Sequence, residues 1–299
     1  METVTNPQVS PIVKKAKKDS FLLSTWKKLI RNRLAVVGLI LIILQVAIAI
    51  TAPLITSYDP ARQNLEATEL PMFSEGHWLG TDNYGRDMWS RIVYGARISL
   101  VVGSIAVTLG LVGGITLGLL AGYYRKLDGI IMRIVDLLFA FPGILLAMLI
   151  IAVLGTSLVN VAIAISIWSI PSCARIVRGS VLSVKKQEYI LAMKSLGASD
   201  IRIMFKHILP NCTAPIIVFA TMRMATAILS TASLSYLGLG AQPPTPEWGA
   251  MISQGQAYMW TSPHMTIIPG IAIMLTVFAF NVLGDGLRDA LDPNMKVNQ

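Results

Sequence analysis

Long windows without a charged side chain are the feature that most limits how this chain can fold. Residues 34–55 and residues 98–124 contain no charge, and about 18 apolar residues are enough for a helix to cross a bilayer. Inside the hydrocarbon every backbone N–H and C=O needs an internal partner, so only helices and closed barrels span a membrane. The windows are too long and too uniformly apolar for barrel strands. We therefore predict an all-α integral membrane protein.

Six segments of the sequence fit this description. Only 14% of the 299 residues are charged, against about 25% in an average soluble protein. The predicted transmembrane helices are residues 34–55, 98–124, 130–154, 157–174, 212–240 and 265–284. The third carries Arg133 and Asp136, which are expected to pair with each other because they lie on one helical face. Pro142 predicts a kink in the same helix.

The distribution of basic residues orients these helices. Residues 1–33 hold eight lysines and arginines and residues 175–211 hold seven, whereas residues 56–97 hold four and residues 241–263 none. Segments rich in lysine and arginine stay on the cytoplasmic side. Both termini are therefore predicted to face the cytoplasm, and the net charge of +9 indicates membrane orientation rather than nucleic-acid binding.

These patterns divide the chain into four parts. They are a cytoplasmic N-terminal tail at 1–33, the first transmembrane helix with an external loop at 34–97, a five-helix core at 98–290 and a cytoplasmic C-terminal tail at 291–299. Before the first span, an apolar face (Phe21, Leu22, Trp26, Leu29, Ile30) opposes a basic face (Lys27, Lys28, Arg31), which is typical of a helix at the lipid interface. The alternative is that the basic run Lys14–Lys18 only orients the protein.

A polar, basic stretch at residues 185–211 separates the fourth and fifth predicted spans. Ser199 is a suitable N-cap, and apolar residues follow it at the spacing of an amphipathic helix: Ile201, Met204, Phe205, Ile208 and Leu209. A shorter apolar stripe precedes it at Tyr189, Ala192, Met193 and Leu196. Gly197 suits a left-handed joint between two helices, and Pro210 is expected to end the second helix. Periodicity alone also allows a hairpin that merely orients the adjacent spans.

The stretch resembles the coupling motif of ABC importer permeases, a Glu-Ala-Ala core followed by a glycine and then by Ile-x-Leu-Pro. Leu191, Met193 and His207 depart from the general motif, while Glu188-Tyr189 with Ala192 and Leu-Gly-Ala-Ser is similar to the variant of the peptide and nickel branch. The resemblance implies a set of ATPase-coupling residues, namely Glu188, Tyr189, Ala192, Gly197, Ala198, Ser199, Asp200, Leu209 and Pro210.

Other stretches are similar to the dipeptide, oligopeptide and nickel permeases, and specifically to the second, C-type subunit of the pair. An external signature precedes the second span and includes Gly80, Thr81, Asp82, Gly85, Arg86, Asp87, Ser90 and Arg91. Residues 234–249 and 281–293 match as well, so the resemblance covers nearly everything after residue 20. The signature indicates either an ordered cap over the bundle, with Arg86 near Asp82 and Asp87, or a docking surface.

The resemblance implies a type I ABC importer permease fold with a cytoplasmic coupling helix pair, working by alternating access in the bacterial cytoplasmic membrane. The implied partners are a sister permease, two cytosolic ATPase subunits or domains and an extracytoplasmic solute-binding protein. The chain contains no Gly-Lys dipeptide and so lacks the usual phosphate-binding loop. We therefore expect that the chain is not an enzyme and that the partner ATPases bind ATP and Mg²⁺. Peptides are the expected cargo, and nickel, glutathione or other small solutes are the alternatives.

Three residues within the spans are candidates for the translocation path. An arginine about ten residues into a span is costly unless it faces protein or water, so Arg223 either lines the path or forms an internal hydrogen-bonded lock. Trp168 in the fourth span is a candidate for contacting cargo. Thr231 stands where relatives often carry a glutamate, which leaves its role open. Gly110, Gly114, Gly118 and Gly122 recur on one face and predict close helix packing within the subunit.

Two other classes of membrane protein are weaker fits. A secondary transporter would be expected to show inverted repeats and intramembrane carboxylates, and the only acid well inside the predicted spans is Asp136. An intramembrane protease is also a weaker fit, because the predicted spans contain no plausible Ser and His pair. His77, His207 and His264 are scattered over both sides, so no metal site is expected.

Overall fold

The structure, a computed structural model, describes residues 21–292 and is built from eleven α-helices within them. They are α1 (Phe21–Arg31), α2 (Arg33–Ile55), α3 (Met88–Tyr123), α4 (Arg125–Phe139), α5 (Gly143–Leu154), α6 (Leu158–Lys185), α7 (Glu188–Ser195), α8 (Asp200–Ile203), α9 (Thr213–Tyr236), α10 (Trp248–Gly255) and α11 (His264–Leu291). The basic run Lys14–Lys18 and nearly all of the predicted C-terminal tail lie outside the described residues, as do the side chains of Phe21 and Leu22.

Five helices of the described chain are long and apolar enough to cross a membrane, and the pair α4 and α5 supplies a sixth crossing if it is counted as one span. The helices run over residues 33–55, 88–123, 158–185, 200–236 and 264–291. The prediction of an all-α membrane protein is confirmed. Most spans extend beyond their predicted ends, because charged residues such as Arg91 and Asp285 continue the helices outside the apolar windows.

The third predicted span is broken rather than kinked. α4 and α5 meet at 91°, with Pro142 as the residue before α5. Proline has no N–H to continue the ladder of α4, and its fixed φ suits the first turn of a new helix. α5 has 12 residues, which is about 18 Å of helix and less than a full bilayer.

The predicted pair of Arg133 and Asp136 is wrong. Asp136 Oδ1 accepts from Arg175 Nη2 at 2.7 Å, and Asp128 accepts from both Nε and Nη2 of Arg178 at 2.6 and 2.7 Å. Both arginines belong to α6, so the acids of α4 face the neighbouring helix and not their own next turn. These contacts fasten α4 to α6.

The glycine face of α3 packs against α6, as predicted. A Cβ on Gly114 would lie 2.3 Å from Cys173 Cβ, one on Gly118 would lie 2.6 Å from the Ala174 carbonyl oxygen, and one on Gly122 would lie 2.7 Å from Val181 Cβ. Only glycine permits backbones to approach this closely. The contact is internal to the subunit.

We expect Gly118→Leu to destabilise the protein by about 1–3 kcal/mol, the usual range for an overpacked core. The leucine would have to displace the backbone of α6 rather than a flexible side chain. The check is thermal aggregation of the full chain after detergent extraction from membranes. Gly179→Ala is the control, because a Cβ there meets nothing within 4 Å and alanine favours a helix. Equal stability of the two variants would contradict the packing.

The N-terminal helix α1 packs against the C-terminal half of α11. Leu29 is buried and packs in one cluster with Ala35, Leu283 and Ala290, while Trp26 and Ile30 are about half exposed. Asn32 separates α1 from α2 and accepts from the Ala35 backbone N–H at 3.2 Å. The apolar face therefore divides between a protein contact and exposed residues, and the lipid-interface position of α1 stays a prediction.

Candidate functional site

The stretch at residues 185–211 forms the predicted helix pair, which we call the coupling hairpin. Gly197 has φ +77°, and the Ala198 N–H donates to the Met193 carbonyl while the Gly197 N–H donates to that of Lys194, each at 3.1 Å. This is a Schellman end to α7, which needs a left-handed residue at Gly197. The joint predicted from sequence is confirmed.

The second arm of the hairpin does not stop at Pro210, contrary to the prediction. α8 passes into a π-helical turn at Met204–Ile208 and a 3₁₀ turn at Leu209–Cys212, and these join α9 so that residues 200–236 form one continuous helix. The wider turn accommodates a proline that would otherwise clash with the preceding turn. Asn211 Nδ2 donates to the His207 carbonyl at 2.6 Å and to Tyr189 Oη at 3.2 Å.

The apolar residues of the second arm lie on two faces, not on the single predicted stripe. Ile203, Met204 and Ile208 are buried with Ile190 against the end of α6. Ile201 and Phe205 are 68% and 59% exposed, and Leu196 at the joint is 86% exposed. The segment is apolar on two sides, and the 3.6-residue period used for the prediction describes only one apolar stripe. The outward face is available to a partner.

One contact fixes the start of α8 to the bundle, and a second joins the ends of α3 and α6. Tyr123 Oη, at the end of α3, donates to Asp200 Oδ1 at 2.6 Å, and the ammonium of Lys185 donates to the Tyr123 carbonyl. Asp200 was predicted from the motif, but Tyr123 lies 77 residues away in sequence and no local pattern marks it. Of the predicted coupling residues, Glu188, Tyr189, Ala192, Gly197, Ser199 and Pro210 are exposed, and Ala198, Asp200 and Leu209 are partly buried.

The external signature forms a buried cluster, as the ordered-cap interpretation expects. All eight of its residues are buried: Gly80, Thr81, Asp82, Gly85, Arg86, Asp87, Ser90 and Arg91. Gly85 has φ +66°, and a Cβ there would lie 1.7 Å from the Asn64 carbonyl oxygen. These residues are therefore buried in the segment that leads into α3 and in the first turn of α3, and do not themselves present a docking surface.

Asp82 is the centre of this cluster. It accepts from Arg86 Nε at 2.6 Å and from the backbone N–H groups of Tyr84 and Arg86 at 2.9 and 3.0 Å, and Arg91 Nε lies 3.4 Å away. Arg86 Nη2 donates to Gln254 of α10 at 2.9 Å. Arg91 Nη1 donates to the carbonyls of Pro60 and Pro244. The cluster thus joins the loop before α3 and the loop between α9 and α10 to α3 and α10.

Asp87, also expected near Arg86, has other partners. It caps α3 by accepting from the Ser90 N–H at 2.8 Å, and its Oδ1 lies 2.8 Å from His77 Nδ1.

Glu247 caps α10 by accepting from the Ala250 N–H at 2.9 Å. Its complete burial raises the pKa of the carboxyl, because removal from water disfavours the charged form.

A cavity of about 640 Å³ opens beside the first half of α9. Its lining includes Ala214 to Thr226 on one face of α9, Ile176 of α6, and Arg288 and Asp292 at the end of α11. Arg223 is one of the lining residues, and its guanidinium stacks on the ring of Trp168, which is not in the lining, 4.8 Å from the ring centroid. Thr231 is fully buried and donates to the Ala227 carbonyl, and it does not line the cavity. The structure brings together two of the three predicted path residues.

Comparison with known proteins agrees with these features. Residues 114–297 match the family described as binding-protein-dependent transport system inner membrane component, and residues 20–71 match the N-terminal transmembrane domain of oligopeptide transport permease C. The chain is 53% identical to a dipeptide transport system permease protein, DppC, of Alkalihalophilus pseudofirmus, over 91% of this chain and 89% of that one. It is 50% identical to a glutathione transport system permease protein, GsiD, of Pectobacterium atrosepticum, over 91% and 90%.

Solved structures show the same fold. Inward-facing conformations of the MetNI methionine ABC transporter match with a TM-score of 0.57 at 20% identity, covering 69% of this chain and 97% of the other. This likeness concerns the helical architecture alone.

Proposed function

Because the chain belongs to the binding-protein-dependent transport system inner membrane components, we propose that it is the C-type permease subunit of an ABC importer that moves small peptides into the cytoplasm. The observation that carries this proposal is the 53% identity to a dipeptide permease over nine-tenths of the chain. The exposed outer face of the coupling hairpin supports it, since a permease must offer a surface to its ATPase.

The proposed assembly contains a sister permease, two cytosolic ATPase subunits or domains and an extracytoplasmic solute-binding protein. The residues that contact the ATPase are the motif positions Glu188, Tyr189, Ala192, Gly197, Ala198, Ser199, Asp200, Leu209 and Pro210. A hairpin tied to α3 and α6 and continuous with α9 passes a rigid-body movement into the membrane, whereas a loose loop would absorb it. ATP and Mg²⁺ are bound by the partner subunits, and this chain supplies the pathway.

The coupling hairpin also supports the proposed orientation. It carries Lys185, Lys186, Lys194, Arg202 and Lys206, and segments rich in basic residues stay in the cytoplasm. A cytosolic ATPase can reach the hairpin only from that side. Both termini then face the cytoplasm, and the loop holding the buried Asp82 cluster faces outward, in the bacterial cytoplasmic membrane.

Glutathione is the second candidate cargo, because a relative of 50% identity is a glutathione permease. Glutathione is itself a small peptide with free carboxylates, so both candidates share their chemistry. The same family architecture leaves nickel complexes and other small solutes as further alternatives.

The test is uptake by the reconstituted complex of this chain with its sister permease, ATPases and solute-binding protein in liposomes. We expect ATP to drive uptake of a labelled dipeptide, and an inactivating substitution of the ATPase phosphate-binding lysine to abolish it. Labelled glutathione in parallel distinguishes the two cargoes. Uptake that follows an ion gradient without ATP hydrolysis would show a secondary transporter and would contradict the proposal.

A further inference from the structure

The Arg223 guanidinium combines burial with unused hydrogen-bond donors. Its Nε and Nη2 atoms are out of contact with solvent and have no hydrogen-bond partner among the described residues. An arginine carries five N–H donors and stays charged, and a desolvated donor without an acceptor costs free energy. An acceptor that reached these donors would remove this cost.

The guanidinium is also held in place. Trp168 of α6 lies beneath it at 4.8 Å, and cation–ring stacking of this kind is favourable. Trp168 is itself pressed against the break between α4 and α5, since a Cβ on Gly143 would lie 1.8 Å from Trp168 Cε2. The charge therefore sits on a fixed platform, which lowers the ordering cost of binding a ligand.

The charges around the cavity favour an anion. Arg223 and Arg288 are the basic residues of the lining and Asp292 is the acidic one, while most of the remainder is apolar. Asp136 and Asp128 on α4 do not line the cavity and are engaged with Arg175 and Arg178. A cavity of about 640 Å³ falls within the range of about 300–1,000 Å³ typical of small-molecule sites.

We propose that Arg223 binds a carboxylate of the transported peptide inside the membrane, with Trp168 and Gly143 as positioning residues. This inference rests on the proposed function and specifies its substrate chemistry: a solute with a free carboxylate and an apolar remainder. A guanidinium presents parallel N–H groups that match the two oxygens of a carboxylate. The apolar lining of α9 contacts the rest of the solute.

The test measures binding separately from transport. The complex without its solute-binding protein is placed in nanodiscs in the absence of nucleotide, and labelled dialanine is displaced by unlabelled dialanine or by its C-terminal amide. We expect wild type to prefer the free acid by about tenfold or more, the usual value of a charge-assisted hydrogen bond. Arg223→Ala should abolish the preference, and Arg223→Lys should leave part of it.

Further variants keep the test decisive if Arg223→Ala does not fold. Trp168→Leu and Gly143→Ala should each weaken binding of the free acid while leaving the amide little changed, because they disturb the platform. Arg133→Ala, which removes an exposed arginine from α4, is the matched control and should behave as wild type.

Two outcomes would overturn the inference. One is an equal affinity of wild type for acid and amide. The other is that Arg223→Ala and Arg223→Lys reduce assembly of the complex, while the complex that still assembles keeps the wild-type preference for the acid. That result would assign Arg223 to a carboxylate of the sister permease. Neither outcome affects ATP-driven dipeptide uptake by wild type, so failure here is distinguishable from failure of the proposed function.

Discussion

Replacing Asp82 by alanine is expected to prevent the protein from accumulating in a folded form. Asp82 is 4% exposed and accepts from the side chain and backbone of Arg86, with Arg91 at 3.4 Å. Its removal leaves two buried guanidinium groups without their carboxylate, and breaking a buried pair from one side costs about 3–5 kcal/mol. That cost is a large part of the stability of an ordinary domain.

The measurement is the amount and thermal stability of the extracted full chain, compared with Glu75→Ala, which removes an exposed carboxylate from the same loop before α3. Glu75→Ala should behave as wild type. Asp82→Asn keeps the shape and the backbone contacts and should fall between the two. An Asp82→Ala protein as stable as Glu75→Ala would show that the cluster is not holding the loops together.

Introducing charge on the outward face of the coupling hairpin is expected to abolish ATP-driven uptake without unfolding the permease. Leu196 and Phe205 are exposed in the subunit, so Leu196→Asp and Phe205→Asp cost the isolated fold little. In an ATPase cleft each aspartate would be buried without a partner. Apolar anchors of an interface are commonly worth 2 kcal/mol or more, so each variant should weaken assembly by about thirtyfold or more.

Co-purification of the ATPase with the permease tests this directly, together with uptake in liposomes. Ser183→Asp is the matched control, because it adds the same charge at an exposed position near the end of α6, outside the hairpin. We expect the control to assemble normally. Normal assembly and uptake by both hairpin variants would show that the ATPase does not bind this face.

Local sequence signals predicted the features that depend on near neighbours in the chain. The absence of charge indicated the spans, the four-residue spacing of glycines indicated the face of α3 that meets α6, and Gly197 indicated the joint of the hairpin. Each of these follows from one residue type or one period acting over a few turns. The matching motifs extended the prediction to the coupling role.

Features that depend on distant neighbours were missed. Asp136 faces Arg175 of α6 rather than Arg133 on its own helix. Beside the 91° break at Pro142, Trp168 of α6 packs against Gly143, 25 residues away in sequence. Helix continuity through Pro210 depends on a π turn, which a 3.6-residue period does not represent. The bond from Tyr123 to Asp200 joins residues 77 positions apart, and no spacing rule connects them.

The unbroken helix over residues 200–236 carries residues of the coupling hairpin at one end and Arg223 part of the way along. At about 1.5 Å per residue, Asp200 lies about 54 Å from Tyr236 and Arg223 about 20 Å from it. A tilt of this helix about its end at Tyr236 would move Arg223 by about two-fifths of the distance that it moves Asp200. In the proposed assembly, a movement of the coupling hairpin would therefore also shift the guanidinium relative to the Trp168 ring, 4.8 Å away, and link the ATPase contact to the proposed carboxylate site.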